Sequence, residues 1–193
     1  MYPIVAIVGM CGSGKSIASD YLEENGYKKV YFGGVTMEVL KEKGLEVTPE
    51  NEKMIRENLR KEHGMGAYAK LLLPRILEYS KKSPTVLDGL YSWDEYKILK
   101  DELKNDITVI AVITKKELRY ARLAKREVRP LTREEAEKRD IAEIENLAKG
   151  GPIAFADYYI SNDGDIESYK EQLKNIIDEV TRGEKNESKR FIY

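Results

Sequence analysis

Short apolar runs alternate along the chain with segments in which apolar residues recur at helical spacing. The runs occupy residues 4–8, 30–32, 85–87, 107–113 and 158–160. Continuous runs of this kind are typical of strands in a parallel sheet that is covered on both faces, and the segments between them are long enough for helical crossovers. The alternation therefore predicts an α/β fold.

Two apolar stripes and two start signals predict helices between the runs. The stripes step by three and four residues through 65–79 and 166–180, as expected for helix faces that pack on a core. Thr48-Pro49 has the form of an N-cap followed by proline at the first helical position, and Thr132-Arg133-Glu134-Glu135 has the form of a capping box. Helices are therefore expected to begin just after Thr48 and Thr132.

Length, charge and cysteine content exclude several classes of protein. The 193 residues are 41% hydrophobic and 35% charged, with a net charge of −1, which predicts one compact core. There is no excess of basic residues to hold nucleic acid or anionic lipid, so any phosphate binding must be local. One Cys and one His exclude an internal disulfide and a four-ligand Cys/His zinc site. Since Gly9 ends the first apolar run far short of a membrane span, we expect a cytoplasmic protein with no membrane partner.

The strongest chemical signal is the segment Gly9-Met10-Cys11-Gly12-Ser13-Gly14-Lys15-Ser16, which fits G-x-x-x-x-G-K-[ST] at every fixed position. Its glycines allow successive backbone N–H groups to turn toward phosphate oxygens. Lys15 would hold the β- and γ-phosphates, and the Ser16 hydroxyl would bind Mg²⁺. The predicted ATP-binding residues of this loop are Gly9, Cys11, Gly12, Ser13, Gly14, Lys15, Ser16 and Ile17, with no chemistry assigned to the Cys11 thiol. The alternative is a glycine-rich turn without a ligand.

A second acidic position lies at the end of another apolar run. Asp88 follows Thr85-Val86-Leu87 and precedes Gly89, as expected when a neighbouring strand brings a carboxylate beside a phosphate loop to hold Mg²⁺. The competing interpretation is an ordinary Asp-Gly turn. We predict Asp88 to be both a metal ligand and a catalytic residue.

A basic segment follows the fourth apolar run. Residues 115–139 contain ten Lys or Arg against five Glu. Four arginines step by three or four residues through this segment: Arg119, Arg122, Arg126 and Arg129. Such a run is often a solvated helix face, but a lid over bound phosphates also needs planar, always-charged donors. We predict that Arg122 and Arg126 act on the transferring phosphoryl group.

These motifs together resemble the dephospho-CoA kinase and adenylate kinase-like P-loop kinases. The resemblance rests on the phosphate loop, on Asp88-Gly89, on the arginine run at 119–126 and on residues 156–164. It implies a five-stranded parallel sheet with helices on both faces, within a single kinase domain at 1–182 and before a tail at 183–193. It also implies a helical substrate-binding insertion at about 35–80, a short lid at about 126–140, and nucleotide contacts from Arg119 and Asn162.

The chain departs from the family pattern where the acceptor would bind. Gly34 and Met37 stand where many relatives have an acidic residue and an arginine, and Tyr91 stands where adenylate kinase-like members have an arginine. The substrate would then have to be held by other cations, for which we name Arg56, Arg60, Lys70 and Arg129, with Arg75 as an alternative to Lys70. Surface charges are the competing explanation. A hydroxyl acceptor would also need a base, for which Asp88 and His63 are candidates; the competing interpretation of His63 is an exposed residue of a glycine-rich turn.

The sequence favours an ATP- and Mg²⁺-dependent phosphotransferase that acts on a nucleotide-type small molecule, such as dephospho-CoA or a nucleoside monophosphate. Two alternatives stay open. One is a P-loop NTPase whose hydrolysis is coupled to a macromolecular partner, and the other is a nucleotide-binding protein without transfer activity. The sequence leaves open the acceptor, the preference for ATP or GTP, and the oligomeric state.

Overall fold

Five parallel strands form one sheet in the order β2-β3-β1-β4-β5. The computed structural model describes residues 1–181, without the side chain of Asn105, so the predicted tail at 183–193 lies outside it. The strands are β1 (Ile4–Val8), β2 (Lys28–Tyr31), β3 (Thr85–Asp88), β4 (Ile107–Ile113) and β5 (Tyr158–Ser161). Each overlaps one of the apolar runs, although β2 begins at Lys28 and ends before Phe32, so the predicted five-stranded parallel sheet is confirmed.

Helices connect the strands and cover both faces of the sheet. They are α1 (Lys15–Glu24), α2 (Gly34–Glu42), α3 (Pro49–His63), α4 (Ala67–Ser80), α5 (Trp93–Leu103), α6 (Lys116–Ala124), α7 (Arg133–Leu147), α8 (Gly150–Ala154) and α9 (Ile166–Thr181), with one 3₁₀ turn at Lys104–Asp106. Within residues 1–181, none of these helices combines the length and the apolar character that a membrane crossing requires.

The alternation of β1 side chains explains the two-sided core. Ile4, Ala6 and Val8 face one apolar cluster, which contains residues of α2 to α5. Val5 and Ile7 face the other, which contains residues of α1 and α9. Because successive side chains of a strand point to opposite faces, an uninterrupted apolar run requires cover on both sides. The central strand is therefore fully buried, and it carries the phosphate loop at its carboxyl end.

Both predicted helix starts are confirmed. The Thr48 side chain accepts a hydrogen bond from the Asn51 backbone N–H, and Pro49 is the first residue of α3. Thr132 and Glu135 form a reciprocal capping box at the start of α7. These caps satisfy backbone N–H groups that a helix leaves unpaired at its amino end.

Candidate functional site

The phosphate loop joins β1 to α1 and depends on glycine at two positions. Gly12 and Gly14 have φ angles of +80° and +97°, in the left-handed region that favours glycine. A Cβ atom on Gly12 would lie 2.9 Å from the Arg119 carbonyl oxygen, and one on Gly14 would overlap the side-chain amide of Asn162. Both the backbone conformation and the close packing therefore exclude larger residues.

Side chains from neighbouring elements hold the carbonyl groups of the loop. The Ser13 carbonyl accepts hydrogen bonds from Thr114 Oγ1 at 3.0 Å and from Asn162 Nδ2 at 2.8 Å. The Tyr169 hydroxyl donates to the Gly14 carbonyl at 3.1 Å. In a trans peptide the C=O group and the following N–H group point in opposite directions. These contacts therefore turn the following N–H groups to the open side of the loop, which is the arrangement that binds an anion.

Lys15 places a cation within this loop. It begins α1, and its ammonium donates to the Met10 carbonyl at 3.0 Å. Burial, and after it the charge of Lys149, lower the pKa of Lys15 to about 7. An ammonium that loses its hydration on burial gains more from a nearby anion than one in bulk water. A phosphate group in the loop would favour the charged form of Lys15.

Asp88 ends β3 next to α1. Ser19 links it to Ser16, the residue of α1 that we predicted to bind metal. Ser19 Oγ lies 3.1 Å from Asp88 Oδ2 and 3.0 Å from the Ser16 carbonyl oxygen. The Lys29 ammonium lies 3.9 Å from the same carboxylate oxygen. Burial raises the pKa of Asp88, against the effects of the Ser19 hydrogen bond and of the charge on Lys29. A carboxylate and a hydroxyl are oxygen donors of the kind that Mg²⁺ prefers, so Asp88 and Ser16 suit this ion.

Arg122 contributes a buried donor close to the loop. Its Nη2 atom donates to the Asn162 carbonyl at 2.9 Å. Its Nη1 atom is buried and has no hydrogen-bond partner within residues 1–181. A buried donor without an acceptor is unfavourable, and a phosphate oxygen would satisfy it.

Glu52 of α3 joins two of the arginines that we predicted to bind substrate. The Glu52 carboxylate is 5% exposed and accepts hydrogen bonds from Arg129 at 2.6 and 3.2 Å and from Arg56 at 3.3 Å. The hydrogen bond from Arg129 is the main cause that lowers the pKa of Glu52. Since Arg129 belongs to the connection between α6 and α7, this cluster links the predicted insertion to the predicted lid.

A second polar cluster continues from Arg60, one turn further along α3. Its guanidinium lies 5.7 Å from the ring centroid of Tyr68, whose hydroxyl is 2.7 Å from Thr36 Oγ1. Arg60 Nε and Glu95 Oε1 are buried without a hydrogen-bond partner in the described part of the chain. Burial raises the pKa of Glu95 to about 6, and the charge on Arg60 opposes this effect. The cluster therefore holds a donor and an acceptor that are both unsatisfied.

Relatives in sequence identify the family. Residues 5–143 match the family described as "AAA domain". A UPF0200 protein from Thermococcus gammatolerans is 36% identical, and the similarity covers 93% of this chain and 96% of that relative. The chain belongs to the UPF0200 family.

The fold of this UPF0200 chain is that of P-loop kinases. The Thermus thermophilus protein TT1252 has a TM-score of 0.65 at 20% identity, covering 94% of this chain and all of the other. A shikimate kinase from Acinetobacter baumannii, solved in complex with shikimate, has a TM-score of 0.60 at 16% identity and covers 96% of this chain and 97% of its own. At such low identity the likeness concerns the fold alone. The narrower resemblance to dephospho-CoA kinase stays a proposal.

The predicted nucleotide contacts of the UPF0200 chain occupy different environments. Arg119 is 6% exposed, and its guanidinium donates to the Cys11 carbonyl at 2.9 Å and to Asp140 at 2.9 and 2.6 Å. The Arg119 side chain thus stabilises the conformation of the loop through a hydrogen bond to its backbone. Arg126 lies beyond the end of α6 and is exposed, and Ile17 is 39% exposed. The contacts of these residues with a nucleotide stay predictions.

Lys70 and Arg75 lie apart from the arginines that meet at Glu52. The Lys70 ammonium donates to the His63 carbonyl at 2.8 Å, at the carboxyl end of α3. Arg75 is paired with Glu38 at 2.9 Å. The structure therefore brings together Arg56 and Arg129, but it gives the two alternative cations other partners.

Four charged residues of the site were missed by the sequence reasoning. They are Glu52, Asp140, Glu143 and Lys149. Glu52 had a usable signal, because it precedes Arg56 by four residues on the same helix. Lys149 had no such signal, because it lies in a Gly-rich connection. Its ammonium is 5.0 Å from the ring centroid of Tyr91, and Tyr91 stands where the family resemblance led us to expect an arginine.

Proposed function

We propose that this protein transfers the γ-phosphoryl group of Mg²⁺-bound ATP to a nucleotide-type small molecule, such as dephospho-CoA or a nucleoside monophosphate, in the cytoplasm. The observation that carries the proposal is the geometry of the phosphate loop, in which two carbonyl groups are fixed by hydrogen bonds from side chains. Ser13 and Gly14 are tied by side chains from three other elements. With these carbonyls held by side chains, the N–H groups that follow them are oriented to bind phosphate oxygens.

The residues around the loop have complementary tasks in this reaction. The Lys15 ammonium would bind the β- and γ-phosphate oxygens. Arg122 Nη1, buried and unpartnered, would donate to a phosphoryl oxygen and stabilise its charge during transfer. Ser16 and Asp88 would hold Mg²⁺, which neutralises phosphate charge when bound.

The acceptor would bind where α3 meets the α6–α7 connection. Arg56 and Arg129 converge on Glu52, and an anionic acceptor could take one or both guanidinium groups from that carboxylate. The contact joins the predicted insertion at 35–80 to the predicted lid at 126–140. We propose that these two segments close over the acceptor and exclude water from the reacting groups.

The test is ADP release from Mg²⁺-ATP in the presence of a panel of acceptors. The panel contains the nucleoside monophosphates, dephospho-CoA, and shikimate because of the structural likeness to a shikimate kinase. We expect one class of acceptor to stimulate ADP release and to be recovered with one added phosphate. Lys15→Ala should abolish the stimulation, and Lys174→Ala, a change on α9 away from the loop, should not.

The outcomes separate the proposal from its alternatives. Stimulation only by a protein or nucleic acid would support an NTPase coupled to a macromolecular partner. Nucleotide binding without turnover for any acceptor would support a binding protein that does not transfer phosphate. Either result would overturn the proposal.

A further inference from the structure

A buried ion pair lies at the end of α7, next to the phosphate loop. Lys149 is 1% exposed, and its ammonium donates to Glu143 at 2.6 Å. Glu143 also accepts a hydrogen bond from Arg139 at 3.4 Å. Neither the phosphate loop motif nor the arginine run includes this pair.

The Lys149–Glu143 pair lies near the residues that we propose to act on the phosphoryl group. The Lys149 ammonium lies over the ring of Tyr91, three residues after Asp88. Of the charged neighbours of Lys15, Lys149 has the largest influence on the pKa of Lys15, and Glu143 and Asp88 act in the opposite sense. Helix α7 is also linked to the loop, because Asp140, three residues before Glu143, is paired with Arg119, whose guanidinium donates to the Cys11 carbonyl.

The local charge balance favours an anionic ligand. Two cations, Lys149 and Arg139, share the single carboxylate of Glu143. Within residues 1–181, the Lys149 ammonium has one hydrogen-bond acceptor for its three donors, together with the face of an aromatic ring. Burying an ammonium with so few acceptors is unfavourable, and an anion between the two lysines would relieve their repulsion.

The backbone around Lys149 is rigidly positioned. Ala148 has a φ of 47°, and the Lys149 N–H closes the end of α7 by donating to the Glu143 carbonyl at 3.2 Å. In the following α8, a Cβ atom on Gly151 would lie 2.6 Å from the indole ring of Trp93. The connection is therefore packed tightly against α5, and Lys149 has a defined place in the site.

We propose that Lys149 binds the γ-phosphate of the nucleotide, and that Glu143 is the counter-ion that holds its ammonium while the site is empty. The inference rests on the proposed function, because it requires a nucleoside triphosphate in the loop. Lys149 forms no covalent bond in this role.

The test compares the affinity for ADP with that for a non-hydrolysable ATP analogue, both with Mg²⁺, by calorimetry. Lys149→Met should weaken analogue binding by about 10–100-fold, the range for loss of a charge-assisted hydrogen bond, and should leave ADP binding nearly unchanged. Lys149→Arg should restore part of the preference for the analogue. Lys100→Met is the matched control, since Lys100 is half-buried and paired with Asp157 at 3.3 Å at the opposite end of the strands.

A second variant keeps the test decisive if Lys149→Met fails to fold. Glu143→Gln removes the counter-ion and should increase the preference for the analogue over ADP. Equal effects on both ligands, in either variant, would mean that the pair only stabilises the end of α7. If the unaltered protein binds neither ligand, the proposed function fails and this inference fails with it; if it binds both and the variants do not discriminate, only the role of Lys149 is wrong.

Discussion

Asp140 of α7 and Arg119 of α6 form a two-pronged ion pair, with N–H···O distances of 2.9 and 2.6 Å. The same guanidinium donates to the Cys11 carbonyl. Asp140 therefore acts on the phosphate loop through Arg119, across two helices. The Arg119 side chain is 7% exposed and the Asp140 side chain is 11% exposed, so water can replace little of this contact if it is lost.

Asp140→Asn should lower the free energy of unfolding by about 3 kcal/mol, because breaking a buried ion pair leaves the remaining charge uncompensated. The change is measured as a shift in the midpoint of urea unfolding. Glu117→Gln is the control, since its pair with Arg133 is exposed and should leave the midpoint nearly unchanged. A similar midpoint for both variants would contradict the role of Asp140.

Lys15→Ala should abolish phosphoryl transfer while leaving the fold intact. Loss of one preorganised donor to a developing charge lowers turnover by about 100-fold or more. Circular dichroism and the unfolding midpoint should match those of the unaltered protein, since the hydrogen bond from the Lys15 ammonium to the Met10 carbonyl joins two residues of the same loop. Full activity in this variant would reject the assignment of the loop.

Asp88→Asn should reduce turnover and increase the Mg²⁺ concentration needed for half-maximal activity, because an amide is a weaker ligand for this ion than a carboxylate. The measurement is a Mg²⁺ titration of ADP release at fixed ATP. Asp101→Asn, on the exposed side of α5, is the control. An unchanged Mg²⁺ dependence would rule out a metal-binding role for Asp88.

Deprotonation of Glu95 should lower the free energy of unfolding as the pH rises. Burial raises its pKa from the ordinary 4.5 to about 6 in the folded protein, so the folded state binds this proton more tightly than the unfolded chain. Between those two values, deprotonation lowers the free energy of unfolding by about 2 kcal/mol, since one pKa unit corresponds to about 1.4 kcal/mol.

Glu95→Gln removes this titration. Relative to the unaltered protein, the variant should gain about 2 kcal/mol between about pH 4 and about pH 8, measured by urea unfolding at each pH. Glu102→Gln, on the exposed side of the same helix, should follow the profile of the unaltered protein. Parallel profiles for Glu95→Gln and the unaltered protein would contradict the raised pKa.

The strands, their parallel arrangement and the place of the phosphate loop were predictable from the sequence. A strand that is buried on both faces has an uninterrupted apolar run, such as Ile4–Val8. Such a run can be recognised in the sequence without knowledge of its partner strands. The caps at Thr48 and Thr132 were also predictable, because each involves residues no more than three positions apart. The family resemblance supplied the number of strands, which the fold confirms.

The charged contacts of the site were decided by the tertiary structure. Glu52 meets Arg129 across 77 positions, and Arg119 meets Asp140 across 21. Such pairs form because the sheet order brings separate connections to one edge, and periodicity carries no information about which connections meet. Lys149 is the clearest case: its sequence neighbours are glycines, a proline and small residues, and only the packing of α8 on α5 brings its ammonium over Tyr91. The chain by itself thus determined local burial and the glycines of the phosphate loop, while folding decided which side chains hold the loop carbonyls and which charges surround the loop.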